Sequence, residues 1–488
     1  ALRLKGEVEK HDGTRFTAGA MNNGLFNEDG AYNVCDITGI NYQTAIYDEF
    51  LTRFPELPVI GTENCSAFMT RGCYKTDMSK NVIDMLDSEC TPWGNTYRDG
   101  FMQIKKRDNI MGYFVWTGFD YRGEPTPFAY PSVSTQFGIL DTCGFRKSAY
   151  YLNKSYWTDK KLAHIVSHWN YSDGETADIT VFTNCSEAEL FVNGRSAGKK
   201  PVSEDNTVVF EKIRFEAGEL SVICDSGAAS DTVYTHSSLS SLELECGMER
   251  AYENDAVCIN VKAVDENGKF VHDADELIMF DANGGYILGV GNGDPNSHEA
   301  DKAKERRLFA GLCQAIVAPE YGSDSMTVTA RTAGGVCASI TVPVGPSRSA
   351  AFIPSVTEKY ISTWRRTLEL SDEYPDPLAP ISDSDMNTWV IVDAGNGHDS
   401  IFDGKTGYAM YKAAAETQKG ERIIFREITA DHADIYINKE KVFSSGCGYG
   451  KRFEYVSENG GTLDITVVLE SRTAVSGAGI NKPVVAAE

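Results

Sequence analysis

Apolar residues in the first 155 positions follow two spacings in turn. Between helix-like segments, short runs that predict strands cover residues 15–20, 36–41, 57–62 and 110–116. Residues 44–54 and 95–107 place their apolar side chains at helical spacing instead. Strands that alternate with helices predict parallel β/α units, and short apolar strands fit a sheet that is buried on both faces.

After about residue 160 the pattern changes to short strands with turn signals between them and little helix. Asn193-Gly194 and the segment 265–269 carry the Asn-Gly pair that favours a tight hairpin. This spacing is typical of β-sandwiches. The last 140 or so residues are again rich in strand patterns, with a hairpin signal at 435–442, and Trp364 and Trp389 are large enough to anchor a core. A jelly roll is the predicted form.

These patterns predict a multidomain chain with one α/β domain and three all-β domains. The boundaries are expected at 1–158, 159–236, 237–346 and 347–488. The first domain has only four of the eight strands that close a (β/α)₈ or TIM barrel. An open half barrel exposes two sheet edges. Either the four strands form a small open sheet, or the other half of a barrel comes from elsewhere.

Charge and hydropathy exclude several classes of partner. The chain has 46 Lys and Arg against 70 Asp and Glu, which gives a net charge of −24. So acidic a chain argues against binding of nucleic acid or an anionic membrane, because phosphate binding needs clustered cations. No run of 18 apolar residues predicts a transmembrane helix. Neutral substrates such as sugars are compatible with this charge.

The twelve cysteines are dispersed, with no Cys-x-x-Cys pair, and the eight histidines show no metal-ligand spacing. Scattered cysteines in a large chain predict reduced thiols in a reducing compartment, so a cytoplasmic location is expected. Disulfides and a zinc site are the alternatives. The chain starts at Ala1 without an initiating Met, which leaves open an N-terminus further upstream.

Glu63 is the most informative single residue. It stands just past the apolar run 57–62, where a rigid strand holds its carboxylate and still lets it reach a cleft. Barrel enzymes place their catalytic groups at such strand ends. The plainer interpretation is a solvated loop glutamate, and the motifs around Glu63 decide between the two.

The segment Gly112–Pro125, GYFVWTGFDYRGEP, resembles a signature of family 2 glycoside hydrolases, with the best match to bacterial β-galactosidases. It continues through Pro131–Asp141. Upstream, Gly39–Tyr42 is similar to the family's motif after the sixth barrel strand, and Pro58–Asn64 to the seventh-strand motif that holds the nucleophile. Gly291–Pro295 is typical of the later sandwich, so the resemblance covers essentially the whole chain.

By this resemblance the chain is part of a retaining hydrolase of the β-galactosidase type. Glu63 would be the nucleophile that forms a glycosyl-enzyme, which water then hydrolyses. Tyr42 would donate a hydrogen bond to Glu63, and Trp116 would form the floor of the sugar site by stacking. The alternative is that both belong to the hydrophobic core, as aromatic residues at strand ends usually do. Weaker candidates for contacts with sugar hydroxyls are Asn41, Asp120 and Glu124.

A retaining mechanism needs a second carboxyl group about 5 Å from the nucleophile as acid/base. The family carries it in an Asn-Glu pair after the fourth strand, and Asn27-Glu28 comes one strand too late. The resemblance therefore implies a C-terminal half: half a barrel, two immunoglobulin-like sandwiches and a galactose-binding-like jelly roll. The acid/base is expected on an N-terminal half, supplied by a second chain or an upstream segment, and the isolated chain is expected to be inactive.

The expected small-molecule partner is a β-galactoside or related glycoside. No cofactor is expected, and a loosely bound Mg²⁺ or Na⁺ ion is left open. A β-glucuronidase or other β-glycosidase is one alternative, for which Arg122 would supply a cation near Trp116, although the Phe119–Tyr121 context fits galactosidases better. A non-catalytic carbohydrate-binding or scaffold fragment, with Glu63 as a relic, is the other alternative.

Overall fold

The structure, a computed structural model, describes residues 1–9, 12–27, 32, 34–348, 358–361, 363–379, 389–395, 399–446, 451–472 and 477–487. Strands dominate these ranges, as predicted for a mostly β multidomain chain. None of the helices described there is long and apolar enough to cross a membrane. The α-helices are α1 (Leu2–Glu9), α2 (Tyr47–Arg53), α3 (Tyr97–Lys105) and α4 (Ser148–Trp157).

The strands of the first two thirds of the chain begin with the short ones of the α/β region. They are β1 (Ala18–Met21), β2 (Ile37–Asn41), β3 (Val59–Glu63), β4 (Ile110–Tyr113), β5 (Ala163–Val166), β6 (Thr176–Thr183), β7 (Glu187–Val192), β8 (Arg195–Pro201), β9 (Thr207–Arg214), β10 (Glu219–Cys224), β11 (Ala229–Tyr234), β12 (Ser241–Cys246), β13 (Ala251–Tyr252), β14 (Val257–Val264), β15 (Leu277–Asn283), β16 (Gly285–Gly291), β17 (Glu305–Arg307), β18 (Leu312–Pro319), β19 (Ser325–Thr332) and β20 (Cys337–Gly345).

The remaining strands form the C-terminal region. They are β21 (Glu358–Tyr360), β22 (Thr363–Thr367), β23 (Trp389–Asp393), β24 (Gly407–Thr417), β25 (Arg422–Thr429), β26 (His432–Ile437), β27 (Glu440–Ser445), β28 (Lys451–Val456), β29 (Gly461–Ser471) and β30 (Gly479–Ala487).

The chain divides into two compact units. Unit 1 comprises Ala1–Gly39, Phe50–Val59 and Phe352–Glu488, and unit 2 comprises Ile40–Glu49 and Ile60–Ala351. This grouping differs from the four predicted domains, because the first residues of the chain cluster with its C-terminal region. Within unit 1, α1 packs against β22 and β23. A short β/α region offers α1 too few neighbours of its own, and a helix needs a second layer against which to bury its face.

The predicted β/α region contains a four-stranded sheet in the order β1-β2-β3-β4. The hydrogen bonds from Thr38 N–H to Pro58 O and from Tyr42 N–H to Glu63 O advance along β2 and β3 in the same direction, as in a parallel pair. All four strands overlap their predicted positions, and α2 and α3 form where helical spacing predicts them. That this sheet forms half of a (β/α)₈ barrel stays a prediction.

In unit 2, the first all-β region pairs the sheets β5-β6-β9 and β11-β10-β7-β8. Their shared core contains Trp169, Ile179 and Val222. The Asn193-Gly194 hairpin is confirmed: both residues have positive φ, 49° and 74°, and Val192 pairs with Arg195 across the turn. The left-handed conformation at both positions matches the twist of the two strands, which is why Asn-Gly is favoured there.

The second all-β region of unit 2 pairs the sheets β12-β14-β18-β16 and β13-β20-β19-β15-β17 around a core with Ile259 and Val328. In unit 1, the sheets β21-β30-β25-β28 and β23-β22-β24-β29-β26-β27 enclose another core. Trp364 is fully buried there, as predicted. Trp389 is only half-buried, against a small cluster with Met410.

Candidate active site

Glu63 ends β3, where the structure connects it to Tyr42. The phenol of Tyr42 donates a hydrogen bond to Glu63 Oε2 at 2.6 Å, and the backbone N–H of Tyr42 donates to the Glu63 carbonyl oxygen at 2.7 Å. Tyr42 has a φ of 58°, in the left-handed region that bulky residues seldom adopt. The predicted hydrogen bond between these two side chains is therefore present in the structure.

Burial raises the pKa of Tyr42 well above its usual value, and the bonded Glu63 carboxylate and the charge of Glu124 raise that pKa further. The phenol therefore remains protonated at neutral pH and can only donate to Glu63. A phenol that stays protonated is a constant hydrogen-bond donor and fixes the orientation of the carboxylate that accepts from it.

Asn64 fixes the end of β3 to its surroundings. Its fully buried side chain accepts a hydrogen bond from Tyr47 Oη at 2.7 Å and donates to the Gly100 carbonyl oxygen at 3.1 Å. Its backbone N–H donates to Phe114 O at 3.0 Å. These bonds join Asn64 to the first residue of α2, to α3 and to the segment after β4. Asn64 therefore fixes the backbone next to Glu63 from three sides.

Trp116 lies beyond β4, in the segment with the family signature. It is half-buried and packs with Phe68 and Phe137. Its ring meets that of Tyr121 edge-on, with 5.8 Å between ring centroids. Tyr121 Oη donates to Glu124 Oε2 at 2.6 Å. The structure thus brings Trp116 and Glu124 together through Tyr121.

Tyr121 was not singled out from the sequence as a site residue. Burial raises its pKa to about 12, and the hydrogen-bonded Glu124 and the charge of Glu63 also raise it. The ring contact with Trp116 and the hydrogen bond to Glu124 place Tyr121 between two of the predicted site residues. The signal in the sequence was its position inside the Gly112–Pro125 motif, but nothing there distinguishes Tyr121 from its neighbours.

Asn41 and Asp120 have different surroundings. Asn41 is half-buried and accepts a hydrogen bond from Thr62 Oγ1 at 2.6 Å, which keeps it beside the strand that ends in Glu63. Asp120 is buried and pairs with the buried Lys147, with 2.6 Å between Asp120 Oδ2 and Lys147 Nζ. Its other oxygen accepts from the Gly138 N–H at 2.8 Å. This placement argues against a contact between Asp120 and a sugar hydroxyl.

The segment after the signature is braced by the second all-β region of unit 2. The buried guanidinium of Arg71 donates to Asp141 Oδ2 and to the Asn292 carbonyl oxygen, at 2.6 Å in each case. Val133 N–H donates to Pro295 O at 2.8 Å. The turn after β16, predicted as typical of the later sandwich, therefore supports the signature loop directly.

Two of the predicted carboxylates, Glu63 and Glu124, each accept a hydrogen bond from a phenol, that of Tyr42 and that of Tyr121 respectively. Glu124 is exposed, and its second oxygen accepts from Thr126 Oγ1 at 2.9 Å. Glu28, whose Asn-Glu pair comes one strand too late for the family's acid/base, lies outside the described residues. The arrangement offers a carboxylate held by a phenol, an aromatic surface and polar side chains.

Two domain families match the chain. Residues 241–341 match the family described as glycoside hydrolase family 2 C-terminal domain 5. Residues 174–228 match a domain of unknown function, DUF4982. These matches fall in the two all-β regions of unit 2.

Curated relatives are similar to a larger part of the chain than the domain families match. The chain is 36% identical over 324 residues to the β-galactosidase BoGH2A of Bacteroides ovatus, which covers 62% of this chain and 38% of that protein. It is 29% identical over 232 residues to a putative β-glucuronidase of Formosa agariphila, covering 38% of this chain and 22% of that protein. The chain thus spans well under half the length of these relatives.

Solved structures show the same fold. A β-glycosidase from Bacteroides vulgatus aligns with a TM-score of 0.59 at 23% identity, over 64% of this chain and 46% of that one. A glycoside hydrolase family 2 member from Bacteroides cellulosilyticus aligns with a TM-score of 0.56 at 25% identity, over 70% and 45%. Together with the domain and sequence matches, these findings show that the chain is similar to family 2 glycoside hydrolases over part of its length.

Proposed function

We propose that this chain is the nucleophile-bearing part of a retaining glycoside hydrolase that cleaves terminal β-galactosides. The observation that carries the proposal is the 2.6 Å hydrogen bond from Tyr42 Oη to Glu63 Oε2. It holds one carboxylate oxygen and leaves the other to attack the anomeric carbon of the sugar. A glycosyl-enzyme forms as the aglycone leaves, and water then releases the sugar with retention.

The proposed mechanism needs a second carboxyl group as acid/base. We assign it to an N-terminal half that completes a (β/α)₈ barrel with the four β/α strands of this chain. The extent of the match supports this assignment, since the chain spans only 38% of BoGH2A. In this scheme the two all-β regions of unit 2 are immunoglobulin-like sandwiches, and the last domain is a galactose-binding-like jelly roll.

The sugar at this site is proposed to be galactose. BoGH2A, named a β-galactosidase, aligns with 62% of this chain. A glucuronide would need a cation to bind its carboxylate, and Arg122 is the cation expected near Trp116. Its guanidinium donates to Asp301 Oδ1 at 2.9 Å and is half-exposed. An uncharged galactoside leaves this ion pair intact. Trp116 supplies the stacking surface, and Asn41 and Glu124 the polar contacts.

A β-glucuronide is the second candidate substrate, because four further relatives are named β-glucuronidases or putative β-glucuronidases. An exposed ion pair such as Arg122–Asp301 contributes no more than about 1 kcal/mol, so a glucuronate carboxylate could compete for the arginine. Hydrolysis rates on nitrophenyl β-galactoside and β-glucuronide separate the two candidates. Loss of only the glucuronidase activity in Arg122→Ala would assign the site to glucuronides.

Covalent trapping tests the nucleophile. The chain, produced together with the N-terminal half, is incubated with a 2-deoxy-2-fluorogalactoside, and its peptides are analysed by mass spectrometry. We expect a fluorogalactosyl label on Glu63, lost in Glu63→Gln and kept in Glu56→Gln, a matched exposed carboxylate just before β3. A properly assembled enzyme that hydrolyses galactosides but carries its label elsewhere refutes Glu63 as nucleophile. An assembled chain with no hydrolysis and no label favours a non-catalytic carbohydrate-binding or scaffold fragment.

The eleven cysteines in the described ranges are all free thiols. Reduced thiols in a chain of this size are usual in a reducing compartment. On this ground we propose a cytoplasmic location. Alkylation of the protein isolated without reductant tests it, since disulfide-bonded cysteines resist the reagent.

A further inference from the structure

Three histidines that lie far apart in the sequence meet in unit 2. His168 follows β5, His236 lies between β11 and β12, and His272 lies between β14 and β15. The ring centroid of His272 is 4.7 Å from that of His168 and 4.7 Å from that of His236. Asp273 brings a carboxylate to the same place. The proposed glycosidase mechanism uses none of these residues.

Three potential ligand atoms form a compact triangle. His236 Nε2 is 3.0 Å from His272 Nδ1. Asp273 Oδ1 is 3.6 Å from His236 Nε2 and 3.8 Å from His272 Nδ1. A point about 2.0 Å from all three atoms exists within this triangle, and zinc binds histidine nitrogen and carboxylate oxygen at about 2.0–2.2 Å. A metal ion therefore fits with little movement of the side chains.

The surroundings of His236 orient it as a metal ligand. Its Nδ1 lies 2.9 Å from the Ser237 carbonyl oxygen, which can only accept, so Nδ1 carries the hydrogen and Nε2 has the lone pair. Metal-bound histidines typically donate their second N–H in this way. Asn170 also fixes the backbone of His236, accepting from its N–H and donating to its carbonyl oxygen, both at 3.0 Å.

The cluster is sheltered but open to solvent on one side. The side chains of His236 and His272 are 5% and 15% exposed, whereas that of Asp273 is 68% exposed. A cavity of about 140 Å³ beside them is lined by both histidines and by His168. His168 Nδ1 accepts from the Asn170 N–H at 3.0 Å, so that nitrogen is already engaged. Solvent reaches the cluster from the Asp273 side, which gives an ion a path of entry.

We propose that His236, His272 and Asp273 bind one zinc ion, with the fourth coordination position taken by water. Two imidazoles and one carboxylate suit zinc, whereas calcium and magnesium prefer sets of oxygen ligands. His236 lies in the segment that joins the two all-β regions of unit 2, and the other two ligands lie in the second of them. The ion would fasten this connecting segment to the second region.

Metal titration of the full chain tests the proposal. After treatment with a chelator and its removal, Co²⁺ is added as a spectroscopic probe, and Zn²⁺ binding is measured by calorimetry. We expect one Co²⁺ per chain with the visible absorption of a four-coordinate site, displaced by one equivalent of Zn²⁺. Loss of a ligand should weaken binding more than the 10- to 100-fold that is typical for loss of an outer hydrogen-bond partner.

The variants separate the site from adventitious binding. His236→Ala, His272→Ala and Asp273→Asn should each lose the Co²⁺ absorption, while His298→Ala, an exposed histidine outside the cluster, should keep it. Asp273 is exposed, so its substitution should leave the fold intact even if a histidine variant does not fold. The proposal is overturned if the unmodified chain binds Zn²⁺ and Co²⁺ no more tightly than Asp273→Asn does.

Discussion

Tyr42 is joined to Glu63 by two hydrogen bonds, one from its backbone N–H and one from its phenol, at 2.7 and 2.6 Å. The left-handed backbone of Tyr42, with φ 58°, costs roughly 1–2 kcal/mol for a residue with a side chain. Such conformations persist where the surroundings impose them, and they cluster at functional sites. The two hydrogen bonds impose the left-handed conformation of Tyr42, because both require the end of β2 to turn towards Glu63.

Removal of the Tyr42 phenol should lower catalytic efficiency. In enzyme assembled with the N-terminal half, we expect Tyr42→Phe to reduce kcat/KM for a nitrophenyl β-galactoside by about 10- to 100-fold, the range for one hydrogen bond to a charged group. The reason is that Glu63 loses the donor that orients it. Tyr130→Phe, which alters an exposed phenol, should change nothing. Equal rates for both variants would contradict an orienting role for Tyr42.

Trp116 should contribute to sugar affinity rather than to the chemical step. Replacement by Ala removes the proposed stacking surface, worth at least about 1 kcal/mol, so the inhibition constant of galactose should rise at least five-fold. Trp116→Phe should recover part of the affinity, which loss of fold in the Ala variant could not mimic. The matched control is Trp93→Ala, at an exposed tryptophan. An unchanged inhibition constant in Trp116→Ala would remove Trp116 from the sugar site.

The buried Asp120–Lys147 pair should be strongly coupled in stability. Loss of one partner leaves an uncompensated buried charge, which typically destabilises by about 3–5 kcal/mol. We expect Asp120→Asn and Lys147→Met each to lower the stability of the signature region, and the double variant to lose less than the sum. Amide hydrogen exchange of residues 117–148 in the full chain measures this locally. Additive effects of the two substitutions would show that the ion pair does not act as a unit.

Asp434 should make the stability of unit 1 depend on pH. Burial alone would raise its pKa, but hydrogen bonds from Ser444, Tyr374 and Lys441 outweigh burial and lower the pKa to about 2. The usual value is 3.8, so the folded state favours the ionised form. The resulting stabilisation is complete well above pH 4 and is lost as the pH falls through 3.8 towards 2.

The comparison between Asp434→Asn and the unchanged chain measures this contribution. At pH 7 the variant should be less stable by about 1–3 kcal/mol, because hydrogen bonds to a charged group are lost. The difference in stability should narrow as the pH falls from about 4 towards 2. Hydrogen exchange in β26 and β29 reports it, with Asp464→Asn, at an exposed carboxylate of β29, as the control. A constant difference across this pH range would contradict the lowered pKa.

Local patterns predicted much of the fold and part of the site. The four strands of the α/β region, the Asn193-Gly194 turn and the buried Trp364 all follow from residue spacing or turn chemistry, because each depends on near neighbours in the chain. The Tyr42–Glu63 bond was expected from the motifs at the ends of β2 and β3. That expectation came from the family resemblance, and it agrees with the geometry of a parallel sheet, in which adjacent strands bring their ends together.

The features that the sequence did not reveal depend on distant segments. Asp120 was expected to contact substrate, yet it pairs with Lys147, which comes 27 residues later and returns to it only through the fold. The histidine spacing carries no metal-ligand signal, and the contact between His236 and His272 joins two residues that are 36 positions apart. Burial and long-range pairing of this kind leave no periodic signal along the chain.

The bonds from Arg71 and Val133 to the turn after β16 have a consequence for how this protein can be divided. Removal of the second all-β region would take away the carbonyl oxygens of Asn292 and Pro295. These oxygens accept hydrogen bonds from the Arg71 side chain and the Val133 N–H. A buried donor without a partner destabilises by about 1–3 kcal/mol. The second all-β region thus supports the candidate site, and we expect the two to be stable only as parts of one chain.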